Sequence, residues 1–123
     1  MKAMLNFKGK RIEISNIKKC SGLKKYIGLM FKKPGTSALL FEFKKPTRQA
    51  IHSFFCPDFL AIWLDEKNKI LEYKLVNSNQ LLIKPTENFL RLLEIPVNEK
   101  YSKITELFLE DRKKSLNTSS SCN

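Results

Sequence analysis

Apolar and polar residues alternate at the start of the chain, in "MLNF" and "RIEI", with "KGK" around Gly9 between them. That pattern predicts a β-hairpin. The period then lengthens: Leu23, Ile27, Met30 and Phe31 recur three and four apart, the spacing of one helix face. Ser21 can cap the start of such a helix, Gly28 can take a left-handed conformation at its end, and Pro34-Gly35 stops anything further. A short helix near residues 22 to 28, lying over the open end of a sheet, is therefore expected.

From residue 37 strand signals dominate. "ALLFEF" places Leu39, Phe41 and Phe43 on one face. After the turn-like "KKPTRQ" come "AIHSFFC" and "FLAIWLD", then a polar loop from Asp65 to Lys69, and "ILEYKLV" returns from it. "QLLIK" and "NFLRLLEIP" add two candidates, the second open between strand and helix. Beyond Pro96, "KITELFLEDRKKSLN" spaces Ile104, Leu107 and Phe108 as a helix would, with acids early and bases late in the sense of the helix dipole. The expected architecture is all-β: a small β-sandwich or jelly-roll-like barrel, with the short helix in its N-terminal half and a C-terminal helix. One domain is expected over residues 1 to 116, its helical segment spanning 101 to 116, followed by a disordered tail from 117 to 123.

Composition agrees with one core. The chain has 123 residues, 42% of them hydrophobic and nine of them phenylalanine, enough for a single domain without disulfides or metals. Its longest apolar run, "FLAIWL", falls far short of the roughly 20 residues a membrane helix needs. The opening residues lack the apolar stretch of a signal peptide. Cys20, Cys56 and Cys122 are odd in number and widely spaced, so they read as reduced thiols of a cytoplasmic protein.

Charge changes the picture more. The net charge is +11, and residues 1 to 50 hold 13 Lys or Arg against only Glu13 and Glu42; the remainder balances ten against ten. Such asymmetry can mark a polyanion-binding face, for which Lys18, Lys19, Lys24, Lys25, Lys32, Lys33 and Arg48 are the candidates. Against it stands the scarcity of arginine, the cation that binds phosphate bidentately: four of the 23 bases.

Candidate chemistry gathers in "IHSFFCPDF". His52 is the sole histidine, four residues before Cys56. On a strand they would share a face yet lie about 13 Å apart, too far for a thiolate and its base. Both are expected inside a strand, with Phe55, Phe59 and Trp63 on one core-facing side. His52 and Trp63 are the ligand-site candidates, and an enzyme with His52 as acid–base is a remote alternative. No catalytic set, metal site or cofactor is expected: one histidine and scattered cysteines do not make a zinc site, and although Asp58, Asp65 and Glu66 could offer a carboxylate site, Asp65-Glu66 is more simply the polar start of a hairpin loop.

The order of "YIGLMF", "ALLFEF", "IHSFFCPDFLAIWLDEKNKILEY" and "LLEI" resembles domain-of-unknown-function family 192, in a compact archaeal-type form, over residues 12 to 96. Gly28-Leu29-Met30, Leu40 to Phe43, Ile51 to Asp65 and Leu92 to Ile95 carry the resemblance. It implies a small jelly-roll sandwich and no established activity. Many relatives carry a signal peptide, which is not seen here. The chain also departs from the family at Leu60-Ala61, where an inner acid is common, and at its ending. The expected role is thus a non-enzymatic binding or accessory domain of undetermined ligand. Its partner would be a nucleic acid, another polyanion or a protein, and a non-specific RNA or DNA binder using the lysine-rich first 50 residues is the main alternative.

Overall fold

In the computed structural model, residues 1–20, 29 and 35–121 are described, without the side chains of 116–121. Strands β1 (Ala3–Phe7) and β2 (Lys10–Ile14) form the expected hairpin. Lys8 and Gly9 both have positive φ, 49° and 81°, as a two-residue turn matched to the twist of paired strands requires. Five further strands make one sheet: β3 (Ile17–Cys20), β4 (Ala38–Thr47), β5 (Phe59–Leu64), β6 (Ile70–Val76) and β7 (Phe89–Pro96). Their spatial order is β3-β4-β7-β5-β6. β3 runs parallel to β4, and the other pairs are antiparallel. A 3₁₀ turn at Glu99–Tyr101 leads into helix α1 (Ser102–Ser121).

Both faces of the five-stranded sheet are covered, which explains why "FLAIWL" is buried along its whole length rather than in alternation. One face, through Leu40, Leu60, Ile62, Leu93 and Ile95, packs against Leu5, Ile12 and Ile14 of the hairpin and Tyr101 and Phe108 of the C-terminal segment. The other, through Leu39, Phe41, Phe59, Trp63 and Leu92, packs against Leu29, Cys56 and Ile83. The mostly β, two-sheet architecture with a C-terminal helix is as the sequence suggests.

The jelly-roll-like barrel is not. β3 and β6 are edges, so the sheet does not close, and irregular chain takes the place of a second large sheet on one face. Two predicted strands are instead loops. In "AIHSFFC" and "QLLIK" only Ile51 and Ile83 pair, as an isolated bridge. Alternation of size misled there: Phe55 is 64% exposed, and Leu81 and Leu82 are 74% and 75% exposed, so Phe55 does not share the core face of Phe59 and Trp63. The ambiguous "NFLRLLEIP" is a central strand, β7. α1 passes the predicted boundary at 116 and continues to Ser121. Extending a helix already nucleated fixes one residue per added bond, so a weak helix-forming sequence can follow. Lys113 and Lys114 therefore lie inside the helix, and its last turn carries no base, which removes the C-terminal half of the dipole argument. The short helix expected near residues 22 to 28 lies outside the described residues.

Candidate binding surface

Two loops, residues 51–58 and 77–83, are laced together around Ser53, a polar residue with no exposed area. The Ser53 hydroxyl donates to the Asn77 carbonyl at 2.6 Å and accepts from the Gln80 N–H at 2.7 Å. Backbone bonds from Ser53 N–H to Gln80 and from Asn79 N–H to Ser53, both 2.9 Å, complete the lacing. A buried serine with its oxygen fully used is how a non-regular segment meets the demand that buried polar groups be paired. Ser78 adds a second tie, donating to the Cys56 carbonyl at 2.7 Å, while its N–H donates to Asp58 Oδ1 at 3.0 Å.

The lacing holds Phe55 in an unusual state. Its φ is +55°, a region disfavoured for a bulky residue, and its N–H donates to Asn79 Oδ1 at 3.2 Å. Leu81 and Leu82 are the exposed large apolar residues of the second loop, as Phe55 is of the first. The flanking charge is mostly positive: Lys44, Lys45, Arg48, Lys74 and Lys84 lie beside the loops, while Asp58, at the end of the first loop, is engaged by Ser78 and Glu72 by Thr86 and Lys74. Arg48 donates through Nε and Nη2 to the Pro85 carbonyl at 3.3 and 3.1 Å, and Lys74 Nζ to the Lys84 carbonyl at 3.1 Å, so both cations brace the second loop.

His52 and Cys56 are fastened to the same residue from opposite sides. His52 Nδ1 accepts the Phe54 N–H at 3.2 Å, and Cys56 Sγ donates to the Phe54 carbonyl at 3.3 Å. Burial, and secondarily the charge of Glu94, pushes the Cys56 thiol up to about 11, the opposite of an activated nucleophile. Trp63 has no exposed area and lies in the core, so as a ligand-site candidate it lines no open surface. Lys18 and Lys19 are exposed on edge strand β3, with Lys19 paired to Glu42 at 3.1 Å. Lys24, Lys25, Lys32 and Lys33 lie outside the described residues. Asp65 Oδ1 accepts the N–H groups of Lys67 and Lys69 at 2.8 and 2.9 Å, a turn function as read. Among the described residues no group of three His, Cys, Asp or Glu is placed to hold a metal.

Sequence reading missed Glu94. It is 4% exposed on β7, opposite Leu39 and Ala61. Desolvation raises its carboxyl to about 8, against a hydrogen bond from the Leu29 backbone. "LLEI" gives no hint of this, since parity alone does not tell a two-sided strand from a one-sided one. No described helix is long and apolar enough to cross a membrane.

No family model matches the chain, and no curated protein matches it by sequence. Two solved structures are similar in fold. One, from Sinorhizobium meliloti, bears the name "putative transcription regulator"; it superposes with a TM-score of 0.65 at 13% identity, over 85% of this chain and 84% of that one. The other, a protein of unknown function from Novosphingobium aromaticivorans, gives 0.60 at 15% identity, over 83% and 76%. At these identities the likeness is one of fold.

Proposed function

We propose that the chain is a non-enzymatic binding domain that docks through its laced loops onto an anionic bilayer surface. Phe55, Leu81 and Leu82 enter the interfacial layer while Lys44, Lys45, Arg48, Lys74 and Lys84 meet lipid headgroups. The observation that carries this is the exposure of Phe55, Leu81 and Leu82 on the laced loops, Phe55 in a left-handed backbone, with five cations flanking them while the nearby acids Asp58 and Glu72 are engaged by Ser78 and Thr86. Apolar insertion and headgroup attraction add in such contacts. The aliphatic pair Leu81-Leu82 favours lipid over bases, because leucine offers no stacking face.

Co-sedimentation with vesicles tests the reading. Vesicles containing phosphatidylglycerol should retain the protein, pure phosphatidylcholine should not, and Leu81→Asp/Leu82→Asp should release it with the fold intact. Retention unchanged in that variant would overturn it.

The second reading, a non-specific nucleic-acid binder, is favoured by the concentration of the +11 charge in the first 50 residues and by the name of the Sinorhizobium protein. It expects binding to a DNA duplex or single-stranded RNA that weakens steeply with salt, falls on charge reversal of residues 18 to 33, and ignores the leucine pair.

A further inference from the structure

The two edges of the five-stranded sheet differ. β3 is four residues long and carries Lys18 and Lys19, charges that keep a strand edge from pairing with other chains. β6 is seven residues long, Ile70–Val76, and holds no proline or glycine. Its neighbour in the sheet is β5 alone. The hairpin reaches only the start of it, where Asn6 bridges Lys69. No other backbone bond involves residues 70–76 among the described residues. Ile70 to Leu75 all keep some exposed area, and in an edge strand alternate residues direct their N–H and C=O groups away from the sheet.

A groove of about 470 Å³ follows this edge, independently of the laced loops. Tyr73 and Leu75 line it from the face that α1 covers. Lys74, whose ammonium reaches toward the Trp63 ring on the other face, lines it as well. The groove therefore meets the main chain of β6 rather than stopping at one face. Its far wall is α1, through Phe108, Leu109 and Arg112, and no acid lines it. The acids nearby are already engaged, Asp111 by Lys8 and Tyr73 and Glu72 by Thr86. Arg112 is exposed and makes none of the described ion pairs.

We propose that β6 and α1 receive an extended peptide that alternates apolar and acidic residues. Its main chain adds a strand to the sheet beyond β6. Its apolar side chains enter the groove against Leu75, Phe108 and Leu109, and its acids answer the cations Arg112 and Lys74. Strand addition takes affinity from main-chain bonds and selectivity from alternate side chains. A chain of net charge +11 also draws an acidic partner to itself in solution.

The test uses a capped peptide alternating valine and glutamate, with the full chain read by amide chemical shifts and hydrogen exchange. The peptide should bind at micromolar concentration, shift Leu75 and Leu109, and slow exchange at alternate amides of residues 70–76. N-methylating the backbone amides of either the valines or the glutamates should abolish binding, and methylating the other set should leave it, because only one set faces β6. Arg112→Glu should weaken the peptide about tenfold while the melting temperature stays the same. Equal binding of an all-glutamate peptide of the same length overturns the proposal, as does insensitivity to both methylated sets. So does a dimer that protects the β6 amides without peptide, for the occupant is then a second copy. Absence of binding at millimolar peptide, or shifts confined to Phe55, Leu81 and Leu82, also overturns it.

Discussion

The Tyr101 hydroxyl donates to the carbonyl of Asn16, 85 residues earlier, at 2.9 Å. The same oxygen accepts the Ala38 N–H at 2.9 Å, so one buried phenol ties the entry of β3, the start of β4 and the turn before α1. Asn98 reinforces the joint: its Oδ1 accepts the Tyr101 N–H at 3.3 Å and its Nδ2 donates to the Thr36 carbonyl at 3.1 Å. Tyr101→Phe leaves both backbone groups without this partner at little change in volume. The expected loss is about 2–3 kcal/mol, read as a lower urea midpoint with an unchanged slope.

Glu94 makes stability depend on pH. Its folded pKa of about 8 lies above the ordinary value of 4.5, so between those values the folded state holds more protons than the unfolded one. Stability from this group is fully present below about pH 4.5 and is lost as pH rises through 8. Other carboxylates counteract it at the acid end. Asp111 feels burial that would raise it, but hydrogen bonds from Lys8 and Tyr73 hold it below the usual range, so its contribution is lost as pH falls. Thermal melts should therefore be more favourable at pH 6 than at pH 8.5, and Glu94→Gln should flatten that alkaline slope. A slope the variant leaves intact places the titration elsewhere.

Cys56 should resist alkylation. With its thiol pushed up to about 11, roughly one molecule in a thousand is thiolate at pH 8, and the side chain is buried as well. Its labelling by iodoacetamide should follow the opening of the laced loops, accelerating sharply in mild denaturant. A rate in buffer near that of a free cysteine would contradict the burial described.

Phe55→Gly separates fold from docking. The left-handed backbone favours glycine over an L residue by about 1 kcal/mol, and the exposed ring gives up little packing. The variant should melt at the same temperature or a few degrees higher while losing retention on phosphatidylglycerol vesicles. A simultaneous loss of both would make Phe55 a structural residue.

The sequence made the hairpin, the strands from "ALLFEF", "FLAIWL" and "ILEYKLV", and the C-terminal helix legible because each carries a periodicity with one solution. "IHSFFC" and "QLLIK" were misread for a shared reason. Phe55, Leu81 and Leu82 face solvent while Ser53 is buried beside Cys56 and Ile83, and the polarity of Ser53 suggests the opposite until its partners on the other loop are known. The burial of Thr105 was illegible for a related reason: it looks like an ordinary surface residue of an amphipathic helix, and only the packing of α1 on the sheet buries it.

The position of β7 has a consequence for how the chain comes into being. β4 and β5 never touch as neighbours; β7 lies between them and is made last of the five strands. During synthesis the inner edges of β4 and β5, with Leu39, Phe41, Ala61 and Trp63, must wait for Phe89–Pro96 before either finds its partner. Non-local pairing of this kind slows folding and leaves apolar strand edges open to other chains. Nascent chains arrested before residue 89 should thus be the species that trigger factors and other holdases engage, and release should follow emergence of β7 from the ribosome.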